Sequence, residues 1–454
     1  MLLESIERFS KAFRGMVKEK NVAIISHFDC DGLTSASIIA KMLLRENKNF
    51  TLRVIKQLTA KEVEKFDFDE KTILIFLDLG SGQLDLLEKF LEKTQVFVLD
   101  HHQPKNFTHF NLYHLNPILF REEEVSTSIV CYFFAKFFDI RNVELIDLAV
   151  VGAIGDMIDE KWELKGLAKR VLEEAENLGK IRIIKGLRLY GRNTRAVHKA
   201  LELSFDPYIP GISGSESNAV QLLSEIGIPL KENGKWRKLK DLSMEEQRRL
   251  ASALIAERFK LENAEDIFGD IYTLVERPEE IQDAREFATL INACGRLGRA
   301  DVAIKVCLRD EEALEEALKI FEEYRKEISR ILAWIKEENP IIKKKHANFL
   351  IAKDKIPDTL IGTITSILLN SSLVDSKPLF GLAYSDDEIK ISARIPKLFN
   401  SINLKEIIRL STSQLEGEGG GHQKAAGGII PKGKEEKFIE TIEKLLGEAL
   451  GEKS

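Results

Sequence analysis

Seven side chains suited to hard cations follow apolar, strand-like runs within the first 156 residues of this 454-residue chain. They are His27, Asp29 and Asp31 in SHFDCDG, Asp78 in ILIFLDLG, Asp100 and His101 in VFVLDHH, and Asp156 in VGAIGDM. Carboxylates and imidazoles gathered at the carboxyl ends of parallel strands suit a pair of hard divalent cations. Taken singly, each has a plainer reading, because an Asp at a strand end is commonly a helix cap or turn former. Jointly, four strand or helix ends presenting such groups to one sheet edge favour a shared site over unrelated caps.

The runs themselves set the fold. VAIISH (22–27), TLRVIKQ (51–57), TILIFLDL (72–79), QVFVLD (95–100) and NLYHLNP (111–117) read as strands, with helical spacing in 34–46, 85–93, 127–139, 144–154 and 163–178. Continuous Val, Ile and Leu imply burial on both faces, hence a doubly wound, mostly parallel sheet wrapped by helices. Ahead of it, an amphipathic helix has apolar residues at 2, 6, 9, 13 and 17. From about residue 180 the texture changes, and a helical insertion with patterns at 217–226, 243–259 and 278–293 follows. A long charged helix over roughly 311–338 bridges to a second α/β region, where NFLIAKD, PLFGLAYSD and IKISARI are strands, the last two joined by a tight turn at Asp386 and Asp387. Helices there fit 359–370, 404–409 and 434–449. The expected division is 1–185, 186–290, 291–345 and 346–454.

Composition excludes several classes. The N-terminal helix carries acids and no unbroken apolar block, so it is no signal peptide, and no run approaches the roughly 18 apolar residues that span a bilayer. A cytoplasmic protein without membrane association is expected. Cys30, Cys131, Cys294 and Cys307 have no paired short spacing, which argues against a zinc site or a disulfide framework. Strand alternation would point Cys30 away from the flanking aspartates. Lys and Glu are abundant beside 4 Cys and 5 Met, a bias common in proteins of hot environments. The net charge of −6 speaks against indiscriminate nucleic-acid binding while leaving room for a local basic groove.

Four other segments have two readings each. GEGGGHQKAAGG (417–428) is either a flexible turn before a closing strand or a backbone that lets amides approach an anion closely, with His422 as an added donor. INACGRLGR (291–299) is either a helix end with solvated arginines, Arg296 and Arg299, or a source of substrate contacts, and its spacing favours the two equally. The stretch 180–199 has seven Lys or Arg and no acid; with Tyr190 its only aromatic, a solvated helix face is favoured over a nucleic-acid strip. Ser126-Thr127-Ser128 opens a helix that could donate N–H groups to a phosphate, whereas Ser26, Ser35 and Ser126 read as caps or strand-end residues. Asp159, close to Asp156, reads equally well as a surface acid.

With SHFDCDG, FLDLG, Asp100-His101-His102 and GAIGDM in that order, the chain resembles the DHH phosphoesterase superfamily and, within it, the RecJ-type branch. The resemblance implies one cation held by His27, Asp29 and Asp78, and a second held by Asp31, Asp78, His101 and Asp156, with Asp78 bridging. Asp100 and His102 would orient ligands or touch the phosphate. Bacterial members commonly carry Asp at the position of His27, and the mixed nitrogen and oxygen set favours Mn²⁺ somewhat over Mg²⁺. Two cations about 3.5–4 Å apart would activate a water for in-line attack on phosphorus.

Residues 346–454 resemble the DHH-associated C-terminal domain, whose nucleotide-contacting motif reads Gly-Gly-His; Gly420, Gly421, His422 and Arg394 are its counterparts here. Without the resemblance, Arg394 reads equally as a surface ion pair or a ligand contact. Arg296 would line a groove between domains. What the resemblance implies is a two-metal exonuclease of archaeal RecJ-like type. It would cleave single-stranded DNA, RNA or both from an end in replication or repair, and associate with the GINS complex or the Hef helicase-nuclease. Homo-oligomerisation is left open. A nanoRNase or cyclic-dinucleotide phosphodiesterase is the alternative, disfavoured by the long insertion. A non-catalytic scaffold of the Cdc45 type would normally lose metal ligands, and a family-II pyrophosphatase would lack the Gly-Gly-Gly-His segment.

Overall fold

The computed structural model describes residues 1–122, 125–156, 164–204, 207–259, 261, 264–369, 371, 373–396, 399 and 402–451; Asp159 lies outside the described residues. The strands β1 (Asn21–His27), β2 (Phe50–Ile55), β3 (Thr72–Leu77), β4 (Val96–Leu99) and β5 (Leu112–Leu115) form one sheet in the order 2-1-3-4-5, every neighbouring pair parallel. The inner strands β3 and β4 are buried almost throughout, as their unbroken apolar sequences require. On one face Ala23, Ile25, Phe76 and Val98 pack with Leu58, Phe66 and Phe90. On the other, Phe97 meets Phe13 at 5.2 Å between ring centroids and Phe134 at 6.2 Å. Those partners come from α1 (Leu2–Met16) and α3 (Thr127–Phe138). The helices α2 (Cys30–Arg45) and α4 (Ile146–Gly155) complete that layer.

Two local features depart from expectation. Helix α2 begins at Cys30 rather than near residue 34, because Asp29 caps it: Asp29 Oδ1 accepts from Gly32 N–H at 3.0 Å. Cys30 therefore opens a helix instead of extending a strand, so alternation does not govern it; its buried thiol lies 3.6 Å from the Val151 carbonyl. The segment expected to be helical over 85–93 is a 3₁₀ stretch, Ser81–Leu87, followed by a single turn, Glu88–Leu91.

The chain divides into two compact units, one of Met1–Ala196, Arg237–Ala251 and Asn263–Glu322, the other of Val197–Trp236, Ser252–Glu262 and Glu323–Ser454. In the first, the basic run is not a helix face. Ile181–Leu187 forms β6, antiparallel to β7 (Phe268–Leu274), and acids distant in sequence meet the cations. Lys180 pairs with Glu276 at 2.5 Å, Lys185 with Asp270 at 2.7 Å, and Arg195 with Glu322. Helix α5 (Ala284–Arg296) packs on α2 and α4. The charged helix α6 (Glu311–Glu338) is a single 28-residue element whose part up to Glu322 belongs to the first unit and whose remainder belongs to the second.

The second unit holds the helices Val197–Glu202 and Glu216–Glu225 and a small hairpin, Lys231–Glu232 with Lys235–Trp236. Its sheet joins β8 (Ile341–Lys343), β9 (Asn348–Lys353), β10 (Leu379–Ser385), β11 (Glu388–Arg394), β12 (Glu418–Gly421) and β13 (Ala425–Pro431) in the order 8-9-10-11-13-12. Only β9 and β10 run parallel. Asp386 and Asp387 make the two-residue turn between β10 and β11, with Asp386 left-handed at φ 50°. The helices α7 (Ile361–Leu369), α8 (Leu404–Ser413) and α9 (Glu435–Ala449) flank the sheet, and Phe349, Phe380 and Phe438 centre its core. The glycine-dense segment is a hairpin, Gly419 facing Gly428 and Gly420 facing Gly427. Among the described residues no helix is long and apolar enough to cross a membrane.

Candidate metal centre and nucleotide-contact residues

Sheet register explains why the ligand candidates converge. Ser26 lies beside Leu77, Leu77 beside Leu99, and Leu99 beside Leu115. The next residue on each strand, namely His27, Asp78, Asp100 and Asn116, therefore falls in one row at the carboxyl edge. Strand order reverses between β1 and β3, which is where ligands bind in sheets of this kind. Asp78 takes a left-handed backbone, φ 60°, as it leaves β3. Aspartate tolerates that region better than most residues.

The side chains form overlapping groups. His27, Asp29 and Asp78 offer one ligand atom each within 4.8 Å of one another, and so do Asp31, His101 and Asp156, and also Asp78, His101 and His102. His27 Nδ1 is 2.9 Å from Asp29 Oδ2 and 3.4 Å from Asp78 Oδ2. His101 Nε2 is 3.4 Å from both Asp78 Oδ1 and Asp156 Oδ2. His27 Nδ1 is buried and makes no hydrogen bond among the described residues, although two carboxylates surround it. An imidazole nitrogen aimed among carboxylate oxygens without hydrogen-bond geometry fits a cation ligand, and the nitrogen and oxygen set suits Mn²⁺ or Mg²⁺.

Electrostatics agree with a site short of positive charge. Burial lowers the His27 imidazole, but the charges of Asp29 and Asp78 outweigh it and raise it to about 10. Burial raises Asp31 to about 8, with Asp78 adding to the effect, and raises Asp156 to about 6. Asp78 stays well below the usual carboxylate range despite burial, because the His101 and His27 imidazoles stand against it.

Asp100 behaves differently. Its Oδ1 accepts from His101 N–H (2.8 Å), His102 N–H (3.2 Å) and His102 Nδ1 (2.7 Å), and its Oδ2 from Ser81 N–H (2.8 Å). With these four protein donors Asp100 holds the His102 ring and the His101–His102 backbone. Asp29 has two tasks at once, capping α2 through Oδ1 while turning Oδ2 to His27. The Ser-Thr-Ser helix start is not turned to a phosphate, contrary to the sequence reading. Thr127 N–H donates to Asp31 Oδ2 at 2.7 Å and Ser128 N–H to Asp31 Oδ1 at 2.9 Å.

Sequence reasoning passed over several supports. Asn116 donates to the His102 carbonyl at 2.7 Å and to Ser81 Oγ at 2.9 Å, and Ser81 Oγ lies 2.8 Å from His114 Nε2. A polar residue ending the run NLYHLN was the available signal, the same rule that singled out Asp78. Asn292 accepts from Cys30 N–H at 2.9 Å, and a methyl group on Gly295 would stand 1.9 Å from the Phe28 carbonyl oxygen. The INACGR segment thus clamps the His27–Asp31 loop. Arg299 pairs with Glu316 and, at 3.4 Å, with Asp301; Arg296 ends α5, half-buried.

In the second unit, Arg394 ends β11 opposite Ala425, whose carbonyl accepts His422 N–H at 2.8 Å. Register therefore brings Arg394 and His422 to the same end of the sheet. The guanidinium is held by Ser366 Oγ (2.9 Å), Ser392 Oγ (3.1 Å) and the Ala393 carbonyl (2.9 Å). The glycines differ: a Cβ on Gly419 would meet Ile408 at 2.6 Å, Gly421 has φ 127°, but a Cβ on Gly420 would meet nothing within 4 Å.

Comparison with known proteins agrees with this geometry. The N-terminal domain of the DHH family matches residues 21–154, the DHHA1 domain 347–448, and the DHH-CID domain 189–267. An uncharacterized protein of Methanocaldococcus jannaschii is 32% identical over 460 residues, covering 99% of each chain. The chain belongs to the DHH family. Among solved structures, RecJ of Thermus thermophilus in complex with Mn²⁺ is similar with a TM-score of 0.61 and 18% identity over 98% of this chain, which spans 55% of that RecJ. CDC45 of Entamoeba histolytica is similar with a TM-score of 0.66 and 12% identity, over 98% of this chain and 99% of that one. At these identities the likeness is one of fold: the DHH phosphoesterase fold, shared by RecJ and CDC45.

Proposed function

We propose that this DHH-family chain is a metal-dependent phosphodiesterase that shortens single-stranded DNA or RNA from an end. The observation that carries the reading is the convergence of His27, Asp29, Asp31, Asp78, His101 and Asp156 at the switch point of the parallel sheet. His27, Asp29 and Asp78 would hold one divalent cation, and Asp31, Asp78, His101 and Asp156 another, Mn²⁺ being favoured by the imidazoles. When bound, such a pair supplies the charge that activates water and stabilises the leaving oxygen. The chain's own residues prepare the rest. Asp100 fixes the His102 ring through Nδ1 and raises its basicity, so a protonated His102 can meet a phosphate oxygen through Nε2. Arg394, Gly420, Gly421 and His422 would take a nucleotide, as would Arg296; the open space at Gly420 supports that role, since protein packing does not demand the missing side chain there. The segment 186–290 would serve protein association, with the GINS complex or the Hef helicase-nuclease as candidate partners in replication or repair.

The test is digestion of 5′- and 3′-labelled single-stranded DNA and RNA with Mn²⁺, beside Asp78→Ala. A ladder from one end that vanishes in the variant is expected. Turnover confined to dinucleotides would point instead to a nanoRNase. The likeness to CDC45 favours a second reading, a non-catalytic replication scaffold. Failure of the wild-type chain to bind cations, with partner association intact, would select it.

A further inference from the structure

All three hydroxyls of Ser126-Thr127-Ser128 are spent away from helix capping. Ser126, in the N-cap position of α3, makes no capping bond; its Oγ lies 2.8 Å from Ser128 Oγ, which reaches the Ala149 carbonyl at 3.1 Å. Thr127 is fully buried and touches two acids from two different elements. Its N–H donates to Asp31 Oδ2 on α2 at 2.7 Å, and its Oγ1 donates to Asp78 Oδ1 beyond β3 at 3.1 Å. Asp31 and Asp78 are 1% and 2% exposed, so neither can be satisfied by solvent. A buried carboxylate needs donors that fix its plane, and charge-assisted bonds do this strongly. The N-terminus of α3 adds partial positive charge at the same point.

We propose that Thr127 is a positioning residue for the metal centre: by backbone and hydroxyl together it sets the spacing and plane of Asp31, which would hold one cation, and of Asp78, which would be shared by both. The inference rests on the metal-centre reading above. The hydroxyl occupies one acceptor direction of Asp78 Oδ1 and leaves the carboxylate's others for the centre. Valine keeps the shape and the N–H but removes the donor, whereas serine keeps the donor and removes a methyl group.

The experiment titrates full-length wild type, Thr127→Val and Thr127→Ser with Mn²⁺ and counts free ion by electron paramagnetic resonance. Steady-state kinetics on a labelled oligonucleotide run beside it. Removing a group that orients a metal ligand weakens metal affinity or activity by about 10–100-fold. Thr127→Val is therefore expected to bind Mn²⁺ about tenfold more weakly, with kcat reduced and KM for the oligonucleotide unchanged. Thr127→Ser should stay near wild type. Equal binding by wild type and Thr127→Val, or equal loss in the serine and valine variants, overturns the inference. If Thr127→Val is not recovered folded, Thr127→Ala against Thr127→Ser makes the same comparison. Absence of Mn²⁺ binding in the wild type would overturn the metal-centre reading itself, a distinguishable result.

Discussion

A methyl group on Gly32 would stand 2.5 Å from the His27 carbonyl oxygen, whereas one on Gly420 would touch nothing within 4 Å. Two different outcomes follow. Gly32→Ala must push apart the loop that carries His27, Asp29 and Asp31, a strain on the order of 1–3 kcal/mol. Thermal unfolding should begin several degrees lower, and Mn²⁺ affinity should fall with it. Gly420→Ala is expected to leave the melting temperature unchanged while raising KM for an oligonucleotide; an unchanged KM would remove Gly420 from the nucleotide contacts. At this scale the sequence was most legible where a residue type has few uses at its position. A carboxylate closing a buried apolar run was visible as Asp78, Asp100 or Asp156. The hydroxyl of Thr127 was not, because its partners Asp31 and Asp78 lie 96 and 49 residues away.

Elements were readable to the extent that their causes are local. The parallel strands announced themselves by unbroken apolar runs, but the start of α2 is harder to read, because its cap, Asp29, equally fits a cation ligand. Strand β6 was missed altogether: IRIIKGL looks like a basic surface until FGDIYTL, more than eighty residues on, pairs with it. Long-range pairing leaves little trace in a single segment. An element joined by charge is Met244–Glu257, where Glu246 binds Arg237 through both oxygens at 2.7 Å and accepts Ser243 N–H at 2.8 Å. Those bonds, Arg237 first, hold Glu246 at about 2, below its ordinary value of 4.5. A depressed carboxylate stabilises the fold above the unfolded value, and that contribution is lost as pH falls through the folded one. Wild type should therefore lose stability relative to Glu246→Gln between about pH 4.5 and about pH 2, measured by urea unfolding at each pH; parallel curves for the two would refute the assignment.

For the whole molecule, the basic run has a cost if it is used for structure. Three of its seven cations, Lys180, Lys185 and Arg195, are matched by Glu276, Asp270 and Glu322 within the first unit, so these three are poorly placed to neutralise a phosphate chain. Lys185→Glu should leave oligonucleotide affinity and its salt dependence unchanged in fluorescence anisotropy. A tenfold loss with a shallower salt slope would return that face to nucleic-acid binding. The chain shares its fold both with a manganese-bound nuclease and with CDC45, and residues differ in how well they tell such relatives apart. Asp29 caps a helix as well as facing His27, so a descendant that gave up chemistry would still suffer if it lost this aspartate. Its survival in a related chain is weak testimony to catalysis. His27 has no comparable structural duty in the contacts described, so its replacement by a side chain that cannot ligate a cation would be the earlier sign that a relative had given up metal binding.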